Sequence, residues 1–239
     1  MIERLKKELK KAGSPARAKA SMWFFKTEKG SYGHGDVFLG VNMPVLRIIA
    51  KRYMVLSLKD IQTLLLSPIH EHRLTALVIL VDKYNKADEA SKNKIFEFYL
   101  ANAQRINNWD LVDLSAPYIP GVHLRDKNKK ALYKLAKSEN LWEKRIAIIS
   151  TFGFIRNGQF TDTLKVAKIL LNDKHDLIHK AVGWMLREVG KRSLSAEELF
   201  LKKYRKHMPR TALRYAIEKF SEEKRKFYLS KVAKTPFKD

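Results

Sequence analysis

His72-Arg73-Leu74-Thr75-Ala76-Leu77 sets two bases ahead of a run of small and apolar residues, and the same opening recurs along the chain. Lys144-Arg145-Ile146-Ala147-Ile148, His179-Lys180-Ala181-Val182-Gly183-Trp184 and Pro209-Arg210-Thr211-Ala212-Leu213 repeat it, 35 residues separating Arg145 from Lys180 and 30 separating Lys180 from Arg210. The 72 residues between Arg73 and Arg145 leave room for one more unit, which Asn108-Trp109-Asp110-Leu111 fills. Helix-pair arrays have periods of this order, about 34 to 47 residues. No single unit buries its apolar face alone, so neighbours stack and their equivalent helices line one concave surface. The spacing therefore predicts an all-α fold: a single-domain superhelical solenoid of HEAT-like antiparallel helix pairs over residues 1–233, with 234–239 as a C-terminal tail. A generic helical bundle is the plainer alternative.

Local signals agree with helices. Apolar residues return every three or four positions almost throughout, while strand-like alternation is scarce. Ser14 before Pro15, Ser57 before Leu58-Lys59-Asp60, and Ser195 before Ala196-Glu197 place a capping oxygen ahead of a helix-favouring turn. Gly153, Gly158 and Gly190 read as stops or turns. Lys26 to Asn42, holding Gly30, Gly33, Gly35 and Gly40, reads as the one long irregular loop.

Charge narrows the partner. The chain carries 48 Lys and Arg against 25 Asp and Glu, a formal net charge of +23, which points to a polyanion. A hydrophobic content of 45% supports a real core rather than a disordered basic tail. Cysteine is absent, which excludes disulfides, thiol nucleophiles and cysteine-held zinc or iron–sulfur centres. Met1-Ile2-Glu3-Arg4-Leu5-Lys6-Lys7 is a charged, amphipathic start without a continuous apolar segment, so a cytoplasmic, nucleoid-associated protein is expected.

Matching positions of successive helices should form a row: Trp109 with Asp113, then Arg145, then Trp184 with Arg187. Trp109 and Asp113 are four apart, and Trp184 and Arg187 three apart, so each pair shares a helix face. Indole, carboxylate and guanidinium in a basic groove suit cleavage of a purine made cationic by alkylation at N3 or N7. The indole faces attract the cation, and the carboxylate stabilises an oxocarbenium-like sugar or holds water. Arg145 would hold a backbone phosphate, with Lys180 and Arg187 as further contacts. No metal or redox cofactor is needed. Each residue also has a structural alternative: the tryptophans as packing, Asp110 or Asp113 as helix caps or salt-bridge partners, the arginines as two of many. The glycines at 30, 33 and 35 lack the Lys-Ser/Thr of a nucleotide loop, and neither His70 with His72 nor His175 with His179 has a convincing third metal ligand. Lys202-Lys203-Tyr204-Arg205-Lys206-His207 could be a solvated face or a DNA-backbone contact.

Asn107-Asn108-Trp109-Asp110-Leu111-Val112-Asp113-Leu114-Ser115-Ala116-Pro117 resembles the signature segment of the DNA alkylation repair family, AlkD-type. Tyr32-Gly33-His34-Gly35-Asp36-Val37-Phe38-Leu39-Gly40-Val41 with Met43-Pro44, Trp142-Glu143-Lys144-Arg145, and Gly183-Trp184-Met185-Leu186-Arg187-Glu188 resemble further family blocks in the expected order, covering roughly residues 20 to 220. The resemblance implies a HEAT-like repeat DNA glycosylase that excises positively charged N3- or N7-alkylpurines from double-stranded DNA. It places the catalytic carboxylate on Asp113, the aromatic contacts on Trp109 and Trp184, and the phosphate-holding arginine on Arg145. The loop from Lys26 to Asn42 resembles a longer-looped branch, and Trp23, Phe24, Phe25 and Tyr32 are candidates for an aromatic that the family carries on its early helices. Two other functions fit a helical repeat: a non-catalytic protein recognising branched or distorted DNA, and a protein-interaction scaffold.

Overall fold

The computed structural model describes residues 1–230; the expected tail, 234–239, lies outside them. Within that span the chain is helix and turn, apart from one isolated parallel bridge between Val37 and Ile69. The helices fall into two compact units, the first ending at Lys127 and the second beginning at Asn128.

The first unit holds α1 (Ile2–Ala12), α2 (Pro15–Phe24), α3 (Met43–Arg52), α4 (Leu58–Leu65), α5 (His70–Lys86), α6 (Glu89–Ala101), α7 (Trp109–Ser115) and α8 (Pro120–His123). Capping fixes several starts as expected. Ser14 accepts from the Arg17 N–H with Pro15 at the first helical position, and Ser57 and Asp60 form a reciprocal capping box. Helix α5 is the centre, buried from His70 through Leu80 and packed against α3, α4 and α7. Its first turn carries His70, Glu71, His72 and Arg73, each at most 5% exposed, and every such buried polar group needs a partner. Ser67, just before α5, meets His72 and Arg73, and the other partners come from the loop over 26–42 and from α7, which is what builds the site.

The second unit holds α9 (Lys130–Ala136), α10 (Leu141–Ile155), α11 (Thr161–Leu170), α12 (Asp176–Gly190), α13 (Leu194–Tyr204), α14 (Arg210–Ala216) and α15 (Glu222–Leu229). Helix α10 packs on α12 and α12 on α14, while α9, α11 and α13 pair with members of that row, the stacking that the repeat predicts. Two sequence expectations change here. Helix α13 starts before Ser195, because Ser193 is the cap that accepts from the Ala196 N–H. Helix α10 runs through Gly153 to Ile155, and the turn falls at Gly158, whose φ of 72° favours glycine. No helix of the described residues is long and apolar enough to cross a membrane.

At Gly183 the backbones of α12 and α14 lie close together. A Cβ there would lie 2.4 Å from the Ala212 carbonyl oxygen and 2.5 Å from the Tyr215 Cβ. Backbone cannot yield as a side-chain tip does, so Gly183→Ala should lower unfolding free energy by about 1–3 kcal/mol despite alanine's better helix propensity. Chemical denaturation would measure this, and an unchanged or raised stability would mean that the helices part at little cost.

Candidate functional site

Seven residues make α7, too few for a helix to stand without tertiary support. Asn108 caps it, its Oδ1 accepting from the Trp109 N–H at 2.8 Å, and Asp110 Oδ1 accepts from the Leu111 N–H at 2.9 Å. At the other end the Ser115 hydroxyl donates to the Leu111 carbonyl and bonds the buried Tyr99 hydroxyl. With both ends held, Trp109, Asp110, Asp113 and Leu114 face one cavity of about 390 Å³.

An aromatic wall adjoins α7. Phe25, at the end of α2, stacks on Trp109 with centroids 5.3 Å apart and on Phe38 at 5.1 Å, and Phe38 stacks on the His70 ring at 4.7 Å. Phe24 meets Trp109 edge-on at 5.8 Å. Of the early aromatics, Phe25 therefore lines the cavity and Phe24 supports its tryptophan, whereas Trp23 is 82% exposed.

Behind the wall runs a network of charges. Arg73 donates through Nη2 to Asp36 Oδ1 at 2.6 Å and through Nη1 to the Ser67 carbonyl at 2.9 Å. His70 lies between two carboxylates, Nδ1 3.4 Å from Asp36 Oδ2 and Nε2 2.8 Å from Asp110 Oδ2. Asn108 Nδ2 donates to Asp36 Oδ2 at 3.2 Å. Burial opposes a charge on His70, but its bonds to Asp110 and Asp36 outweigh that and raise its pKa to about 9. Burial likewise works against the Asp36 anion, yet His70, Arg73 and Asn108 hold its carboxyl below the usual range. Glu71 closes the floor, taking the Leu39 N–H on Oε2 and the Gly40 and Val41 N–H groups on Oε1, at 2.7 to 3.2 Å. Gly40 must be glycine there: its φ is 75°, and a Cβ would stand 2.2 Å from the Ser14 carbonyl oxygen.

Trp109 and Asp113, paired from the sequence, thus share the cavity. Asp110, which the sequence offers only as a cap or salt-bridge partner, lines it too, since a helix start turned toward His70 brings both carboxylates inward. Phe25 is among the early aromatics offered by the sequence, whereas His70, Phe38 and Glu71 carry no sequence signal of their own as site residues. The acidic and aromatic residues of the Tyr32 to Val41 block were the only signal for their partners.

The remaining candidates belong to the second unit. Arg145 is 5% exposed and donates from Nη1 to the Leu177 carbonyl at 2.7 Å, joining α10 to the start of α12. Charge reversal at Arg145 would therefore bury a carboxylate against a carbonyl oxygen, and a lysine or methionine replacement is the better probe of a phosphate contact. Trp184 is half-buried, 6.0 Å from the Phe152 ring. Lys180 pairs with Asp176 at 2.7 Å one turn back, and Arg187 pairs with Glu218. Among the described residues no group of three His, Cys, Asp or Glu side chains could hold a metal ion.

Comparison with known proteins gives one consistent result. A family model described as "DNA alkylation repair enzyme" matches residues 5–220. The chain is similar to a solved structure described as a predicted DNA alkylation repair enzyme from Enterococcus faecalis, at 17% identity and a TM-score of 0.69, over 88% of this chain and 97% of that one. No curated protein matches.

Proposed function

Because this chain belongs to the DNA alkylation repair enzyme family, we propose that it is a DNA glycosylase excising N3- or N7-alkylated purines from duplex DNA. The observation that carries the reading is the cavity itself, whose lining joins an indole and a carboxylate one helical turn apart to an aromatic wall. A volume of about 390 Å³ accommodates a nucleotide-sized group. The alkylated base is a cation, and the face of Trp109 attracts it by about 0.5–2 kcal/mol according to how far it is desolvated.

Asp113 is the proposed catalytic group. As the bond from C1′ to the base nitrogen breaks, its electron pair returns to the base, which leaves neutral, and the positive charge passes to the sugar. A carboxylate beside C1′ stabilises that oxocarbenium-like state and orients a water; the water oxygen bonds C1′ and its proton passes to solvent. Alkylation has already activated the leaving group, so protonating it is unnecessary. Double-stranded DNA would be held by a chain of net charge +23, with Lys180, Trp184 and Arg187 as the contacts of the second unit and Arg145, bound to the Leu177 carbonyl, holding the start of α12 that carries them. Lys180 and Arg187 would each exchange a carboxylate partner for a phosphate, a swap of like charges.

Incubating the protein with duplex containing 7-methylguanine, then cleaving abasic sites, tests the reading. Strand breaks in proportion to enzyme are expected. Breaks at background level, from protein that binds duplex with a steep salt dependence, would overturn the enzyme in favour of a non-catalytic DNA-binding protein.

A further inference from the structure

The residue that couples the buried charges to the cavity is His70. We propose that His70 is a positioning residue of this site: clamped between Asp36 and Asp110, it sets the first turn of α7 and with it the bearing of Trp109 and Asp113 on a bound nucleotide. The inference rests on the reading that the cavity is where the damaged nucleotide is handled.

Three observations support it. Both ring nitrogens of His70 are committed to carboxylates, so it has no proton to trade with a substrate and acts through what it holds. The start of α7 is tied to the rest of the unit by Asp110 to His70 and by Asn108 to Asp36, and both ties converge on the same carboxylate–imidazole pair. A seven-residue helix does not keep its orientation without such ties. Finally, the ring is itself immobilised. Phe38 from the loop stacks on it at 4.7 Å and Phe25 at the end of α2 lies 5.0 Å away, so the clamp and the aromatic wall are one packed object. The charged groups facing it are Asp36 from the loop, Asp110 from α7 and Arg73 on its own helix, itself paired with Asp36. The raised pKa agrees with a cation held between two anions.

Histidine-ring NMR of the intact protein and single-turnover excision together test the proposal. His70 should remain doubly protonated at neutral pH and titrate near pH 9, and Asp110→Asn, which keeps an acceptor but removes one anion, should shift that titration downward. His70→Gln should slow excision by about 10- to 100-fold, the scale of a small misplacement of reacting groups, with DNA affinity within about threefold. In both variants the Trp109 indole resonance should move, reporting the bearing of α7 without any catalysis. A His70 that titrates near its ordinary value, or a Trp109 resonance unmoved in folded Asp110→Asn, would overturn the clamp even if His70→Gln fails to fold. Should the wild-type protein excise nothing, the glycosylase reading falls, while the ring titration and the indole resonance still decide whether His70 positions α7.

Discussion

Asp113→Asn is expected to give a folded protein that binds methylated duplex normally and excises the base about 10²- to 10³-fold more slowly, the range seen when one preorganised electrostatic contact to a transition state is removed. The amide keeps the shape of the carboxylate and loses its charge, so the loss should fall on the chemical step measured under single-turnover conditions. Binding could even tighten, since a negative charge leaves a basic surface. Asp113 is half-buried on α7 and lines the cavity with Trp109, which makes the substitution a test of chemistry rather than of core packing. If the carboxylate is structural, the pattern inverts: a lower melting temperature with nearly unchanged excision per folded molecule. Normal excision by a well-folded variant would move the catalytic assignment to Asp110. That carboxylate lines the same cavity but already accepts from His70 Nε2 and from the Leu111 N–H, so its charge is largely engaged within the protein.

Asp36→Ala should carry the largest stability cost of any single change near the site. Asp36 is 7% exposed and accepts from Arg73, His70 and Asn108, which are 3%, 2% and 0% exposed. Truncation leaves a buried guanidinium and a buried imidazolium facing each other without their shared anion. Removing one partner of a buried ion pair costs about 3–5 kcal/mol, because the survivor is desolvated and unpaired. Asp36→Asn should cost less, since the amide oxygen still accepts one bond. Urea unfolding curves would give the difference. A loss under about 1 kcal/mol would show that water reaches these groups and that the network contributes little. The two variants also separate roles: Asp36→Ala is expected to lower stability and excision together, Asp113→Asn excision alone.

Much of this molecule is legible along the chain. The base-then-apolar openings at Arg73, Arg145, Lys180 and Arg210 each mark a helix that packs on its neighbour in the row within its unit, because a 3.6-residue period and a recurring small-residue face carry that information locally. Ser14, Ser57 and the glycine-rich loop were readable for the same reason: capping and positive φ are decided within a few residues. The pairing of Trp109 with Asp113 followed from a separation of four on a helix. The start of α13 is not legible in this way, because Ser193 caps it and Ser195, two residues on, carries the same hydroxyl.

By itself, then, the sequence determined the helical class, the repeat, the polyanion-seeking charge and the short segment around Trp109. Tertiary structure alone decided what stands across from that segment. Phe25 and Phe38 become its wall, Asp36 reaches Asn108 from 72 residues away, and His70, discounted as half of an unconvincing metal pair, becomes the link between two carboxylates. It also decided that Arg145 is buried against the Leu177 carbonyl, although nothing local distinguishes it from an exposed arginine of the same repeat. The physical reason is one of range. Helical periodicity says which way a side chain points from its own axis, but the partner it meets there is set by how distant elements pack, and a buried charge chooses its counter-ion only once the core has closed around both.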